Sequence, residues 1–170
     1  MKDSVKRYLK VSLTLGLIAG CSALLIGVTN LITADRIQAN KVKKEEDGLS
    51  KVFPDSDQEF VTLDFDTSFT YVEKIWSVKS GEKALGFIYK TSGKNSYGNV
   101  SLLLGFTEKK LANMVVLENT ETYGSTLEDN YIVPVNAGTR DYNDVSCGAT
   151  YGAKLIQNMV EEASADVMKR

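Results

Sequence analysis

The chain has 170 residues, no histidine, two cysteines and a net charge of −2. The missing histidine excludes Ser-His-Asp and Cys-His catalysis and speaks against a zinc site, and Cys21 and Cys147, without a CxxC, make no disulfide framework. Residues 34–170 carry 16 basic and 21 acidic residues, a net of −5, which argues against nucleic acid as a partner because its phosphates need a basic patch.

Residues 1–10 are basic, with Lys2, Lys6, Arg7 and Lys10 against Asp3. Residues 11–33, VSLTLGLIAGCSALLIGVTNLIT, hold no charge over 23 positions. A helix needs about 20 apolar residues to cross a hydrocarbon core of about 30 Å. The flanking charge predicts a cytoplasmic N-terminus, residues 1–10, a transmembrane helix over 11–33 and an extracytoplasmic remainder. Ile18-Ala19-Gly20-Cys21 also resembles a lipobox. The apolar run continues through Ala23 to Val28, which favours an uncleaved span, and either reading puts the following domain outside. Gly16, Gly20, Ala23 and Gly27 fall on one helix face, where another membrane helix could approach. Glycine is also simply common in membrane helices, and both readings stay open.

Residues 34–55 read as a helical linker, charged and mostly solvated, that ends at Phe53-Pro54-Asp55, where proline disfavours helix in the preceding residue. Residues 56–170 are expected to form one domain of ordinary size. Four strands are predicted: Tyr71 to Val78, Ala84 to Tyr89, Asn99 to Phe106 and Leu111 to Leu117. Turns at Gly81 and Glu108-Lys109-Lys110 make the sheet antiparallel. Ala149 to Met168 reads as a helix whose stripe of Ala149, Ala153, Ile156, Val160 and Ala163 is core. The expected fold class is α+β: a single transmembrane helix, then an antiparallel sheet packed with a helix from each end of the domain.

Chemistry concentrates at Asp144-Val145-Ser146-Cys147-Gly148-Ala149-Thr150. Gly148 and Ala149 leave the backbone uncrowded, and Thr150 opens the last helix, where free N–H groups and the helix dipole attract an anion such as phosphate. A plainer alternative is that Ser146 or Thr150 caps the helix. No catalytic residue and no metal-ligand set stands out.

This phrase resembles the flavinylation motif of FMN-binding domains, with Asp144, Gly148, Ala149 and Thr150 in register and Cys147 where serine or threonine is usual. The resemblance implies FMN held covalently as a phosphoester on Thr150, with Ser146, Cys147, Gly148 and Ala149 around it. A separate flavin transferase, using FAD and magnesium, would install it. Ile32-Thr33 to Asn40, Lys51-Val52-Phe53-Pro54-Asp55, Gly86-Phe87-Ile88-Tyr89 and Tyr97-Gly98 are similar to the G subunit of the Rnf electron-transport complex, RnfG. Leu117 to Gly124 resembles that family's Glu-Thr-Pro-Gly segment near the flavin, with Glu121, Thr122 and Gly124 matching and Tyr123 in place of proline. The related NqrC subunit of the sodium-pumping NADH:quinone reductase is usually longer, so the short length favours RnfG. Only 19 residues separate Gly124 from Asp144, fewer than the family usually has; Tyr131, Asn136, Thr139 and Tyr142 in this stretch could wall the flavin or simply pack.

The resemblance implies a membrane-anchored electron-transfer subunit, working with other Rnf-type membrane subunits between ferredoxin and NAD, coupled to Na⁺ or H⁺ movement. It would not be a catalyst alone, and nothing here resembles a dinucleotide fingerprint. Two alternatives stay open: a stand-alone anchored FMN protein for extracellular electron transfer, and an assembly subunit without flavin.

Overall fold

The computed structural model describes residues 2–54, 58–65 and 68–170; the expected linker end at Asp55 and the domain start at residue 56 lie outside them. The chain divides into two compact units, residues 1–43 and 44–170, each taken by itself below.

Helix α1 (Lys2–Val52) runs through the described residues of the first unit and supplies the first turns of the second. In the first unit the apolar side chains from Leu13 to Ile32 have no protein cover; Leu17, Leu24 and Leu31 are all more than half exposed. Its threonines bond within the helix. Thr14, Thr29 and Thr33 donate to the carbonyls four residues back at 2.8–2.9 Å, as hydroxyls do where no water is at hand. Length and composition suit a membrane crossing.

The second unit is built on a five-stranded antiparallel sheet in the order β1 (Glu59–Leu63), β2 (Val72–Ser80), β3 (Lys83–Asn95), β4 (Gly98–Thr107), β5 (Lys110–Asn119). The four expected strands are present, each longer than the sequence signalled, and the turns fall at the expected places. The left-handed backbone of Gly81, Glu108 and Lys109 makes those turns tight. Strand β1 was not signalled: it is short, lies at the sheet edge and pairs only with β2.

Alternation along the strands divides the core in two. Leu102 and Leu104 of β4 face one side and Leu103 the other. On the first side lies helix α4 (Thr150–Val167), whose Ala153, Ile156, Met159, Val160 and Ala163 are fully buried. The predicted stripe is therefore core. On the second side, Leu49 and Val52 at the end of α1 pack with Trp76, Val78, Ile88 and Leu103. Glu45 fixes that end by accepting from Lys90 Nζ at 2.7 Å and Lys74 Nζ at 3.1 Å. A helix from each end of the domain thus covers the sheet, as expected. The last turns of α1 fall in the second unit, with Gly48, Leu49 and Val52 buried and Glu46, Asp47, Ser50 and Lys51 exposed.

Two polar devices close the fold. Glu162 of α4 accepts three successive backbone N–H groups, from Thr70, Tyr71 and Val72, at 2.7–3.1 Å, and so ties the approach to β2 onto the helix. Between β5 and α4 the chain winds through α2 (Gly124–Leu127), a π turn (Glu128–Ile132) and α3 (Val133–Asn136). The Asn136 side chain then pairs with both the N–H and the C=O of Met114 at 2.8 Å, occupying the open edge of β5 as a neighbouring strand would.

Candidate functional site

Helix α4 begins without a side-chain cap. Ala149 is the N-cap residue, Thr150 the first helical residue, and neither Ser146 nor Thr150 supplies a capping hydrogen bond. The first intrahelical bond runs from Ala153 N–H to Ala149 C=O at 3.0 Å. The N–H groups of Thr150, Tyr151 and Gly152 therefore have no acceptor within the helix and form its positive end. Thr150 itself is exposed.

The approach to this turn is fixed by its polar groups. Ser146 N–H donates to Asp144 Oδ1 at 3.2 Å, and Arg140 holds Asp144 by both its carboxylate, at 3.3 Å, and its carbonyl, at 3.0 Å. Asn130 donates to the Cys147 carbonyl at 3.2 Å while the Cys147 side chain is buried. Gly148 then takes a left-handed backbone, φ +87°, which a residue with a side chain adopts only under strain. That turn aims the chain into the head of α4.

A cleft of about 250 Å³ opens at this helix end, lined by Tyr97, Glu121, Tyr123, Gly148, Ala149, Thr150, Tyr151 and Gly152. Glu121 is 9% exposed. It receives a short hydrogen bond from Asn95, whose Oδ1 in turn accepts Tyr97 N–H at 2.7 Å and Gly98 N–H at 3.2 Å. A Cβ on residue 152 would run into the Glu121 carboxylate and stand 2.7 Å from Leu127, so only glycine lets the segment after β5 close against α4.

Of the residues expected at the site, the structure thus brings Glu121, Gly148, Ala149 and Thr150 to one cleft. Thr122 is exposed and bonds the Tyr97 carbonyl at 3.0 Å through its N–H; Gly124 opens α2 beside the Asn119 amide. Ser146 and Cys147 line a neighbouring depression with Asp129, Asn130, Pro134, Thr139 and Arg140. The stretch between Gly124 and Asp144 packs and does not line the cleft. Tyr131 is fully buried and donates to the Tyr142 carbonyl, and burial, with Cys147 and Asp141 nearby, holds its phenol well above the usual range. Asn136 serves the β5 edge, and Thr139 lines the other depression. Among the described residues no cluster of three Cys, Asp or Glu side chains is arranged to hold a metal ion.

Sequence reasoning passed over Asn95, Tyr151 and Gly152, and took Tyr123 only as a substitution. A glycine in the first turn of an otherwise good helix former was the available signal, since it costs a helix about 1 kcal/mol against alanine.

No curated protein matches the chain. The uncovered apolar helix, taken with the family match, supports membrane anchoring. Residues 1–52 match the family model described as the RnfG N-terminal region, and over that stretch the chain is similar to RnfG.

Proposed function

We propose that the chain carries FMN as a phosphoester on Thr150 and works as an electron-transfer subunit of an Rnf-type, ion-translocating ferredoxin:NAD oxidoreductase. The observation that carries this reading is the exposed Thr150 hydroxyl at the uncapped head of α4, within the Asp144 to Thr150 phrase that resembles the flavinylation motif.

The residues present fit the group. The N–H groups of Thr150, Tyr151 and Gly152 offer a phosphodiester its hydrogen bonds and the positive end of a helix dipole. Gly148 keeps side-chain bulk away from the tether. Tyr97, Tyr123 and Tyr151 give the cleft aromatic walls. When bound, FMN supplies one- and two-electron transfer. Thr150 keeps it from being lost to the medium. Glu121, held in place by Asn95, sets a carboxylate beside the cleft, where it disfavours added negative charge and lowers the flavin's potential. The charge of residues 1–10 supports a cytoplasmic N-terminus and a domain outside the cell membrane. The ferredoxin, NAD and ion sites would lie on other membrane subunits, and a flavin transferase would load Thr150.

The test is the intact mass of the full chain expressed with a flavin transferase. The expected result is one added FMN, with yellow colour retained after denaturation, and neither on Thr150→Ala. A colourless wild-type protein, or flavin mass persisting on the alanine variant, would overturn the reading.

A further inference from the structure

Three tyrosines meet at the cleft from three separate parts of the fold. Tyr97 comes from the turn between β3 and β4, Tyr123 from the segment after β5 and Tyr151 from the first turn of α4. Tyr97 lies between the other two, its ring centroid 5.3 Å from Tyr151 at an interplanar angle of 38° and 6.3 Å from Tyr123 at 55°. All three are exposed, at 40%, 53% and 66% for Tyr97, Tyr123 and Tyr151. Among the described residues, the Tyr89–Phe106 pair is buried and the Phe65–Phe69 pair does not line this cleft. A contiguous aromatic surface left in water beside a cleft marks a place where a flat apolar ligand binds.

The placement is held by backbone bonds. Asn95 accepts the Tyr97 N–H, Thr122 N–H donates to the Tyr97 carbonyl at 3.0 Å, and Gly124 N–H donates to the Glu121 carbonyl at 3.0 Å, so the two loops that carry Tyr97 and Tyr123 are tied to one another. Tyr151 follows Thr150 directly and shares the rigidity of α4. The backbone beneath the rings is therefore fixed, which lowers the cost of ordering them around a ligand.

We propose that Tyr97, Tyr123 and Tyr151 form the stacking platform for the isoalloxazine ring of a flavin tethered at Thr150. This rests on the flavin reading above and adds the residues that hold the ring. Stacked phenols donate an electron to the excited flavin and take it back on return to the ground state, so a flavin on this platform emits weakly. Trp76, the chain's one tryptophan and another possible quencher, is buried on the opposite face of the sheet.

The experiment is flavin fluorescence of the full-length, flavin-loaded protein in detergent, read before and after complete proteolysis. Weak emission that rises severalfold on digestion is expected of the wild type. Tyr97→Leu, Tyr123→Leu and Tyr151→Leu should each raise the undigested emission, with the triple variant near the digested level. Phenylalanine at the same positions should keep the flavin's bound absorption shape while losing quenching. If Tyr151→Leu blocks loading, Tyr97→Leu and Tyr123→Leu still read the platform; failure of all three to load would overturn stacking in favour of a surface read by the transferase. A yellow wild type as bright before digestion as after, or leucine variants as dim as wild type, would overturn the platform and leave the Thr150 reading intact. A colourless wild type would overturn both.

Discussion

The two faces of the sheet are covered by helices of opposite character. On one face α4 and the segments from α2 to α3 join the strands in a cluster of twenty buried residues, with Ile156 and Met159 fully enclosed. On the other, the end of α1 brings two residues, Leu49 and Val52, into a cluster of six, and adds the Glu45 ion pairs at the rim. Apolar burial stabilises in proportion to area, about 25 cal/mol per Å², so the first face holds the fold and the second docks a helix onto it. The proposed site lies on the first face, at the head of the better-buried helix, where a tether gains a rigid base.

The largest test of this contrast is Ile156→Ala against Leu49→Ala. Truncating a buried isoleucine or leucine costs about 2–5 kcal/mol, depending on how far the site can collapse. Ile156→Ala is expected near the top of that range and Leu49→Ala near the bottom, measured by denaturant unfolding of the full chain. Equal costs would mean that both faces carry the fold. Next in size is Glu162→Ala. It removes the acceptor from the Thr70, Tyr71 and Val72 N–H groups and should cost about 1–3 kcal/mol, the penalty of stranding partly buried donors. Hydrogen exchange should show the loss at residues 70–72 first; a loss confined to the middle of α4 would contradict it.

A smaller effect is expected at the rim of the second face. Burial pulls the Lys90 ammonium down, but the hydrogen bond and charge of Glu45, with Glu73 beside it, outweigh burial and hold Lys90 above its ordinary value of 10.5. A raised folded pKa means the stabilisation is complete below about pH 10.5 and is lost as pH rises through the folded value. Both side chains are partly exposed, so the pair is worth up to about 1 kcal/mol. Lys90→Met should therefore narrow the stability difference between pH 9 and pH 11 relative to wild type. An identical pH dependence in the two proteins would show that the pair adds nothing.

What was legible in the sequence follows the same division. Runs of β-forming residues between turn residues gave four of the five strands, because a sheet buried by helices calls for such side chains; β1 escaped because it is a short edge strand with few buried positions. The α4 stripe was legible for the same reason as the strands. The docking of Leu49 and Val52 was not, since two apolar residues in a charged run look like solvated helix until the sheet face they meet is known. At the site, the motif located Thr150, Gly148 and Ala149, and resemblance brought in Glu121. Asn95 and Tyr151 stayed hidden, and Tyr97 and Tyr123 stood only as family-like positions, because the four converge from distant parts of the chain: pairing of β3 with β4 and of β4 with β5 joins the loops, and packing of α4 on the sheet adds Tyr151.

Thr150→Ala should have the smallest effect of all on stability. Replacing a capping hydroxyl costs about 0.5–2 kcal/mol, but Ala149 occupies the cap position and the Thr150 hydroxyl makes no capping bond. Alanine also suits the first turn of a helix better than a β-branched residue. The unloaded variant should therefore unfold within about 0.5 kcal/mol of unloaded wild type, the usual range for surface substitutions. A larger loss would mean that the hydroxyl does structural work at the head of α4, and absence of flavin on the variant would then no longer single out Thr150 as the attachment point. A neutral result, together with complete loss of flavin, assigns to this one oxygen a chemical role that the fold does not ask of it.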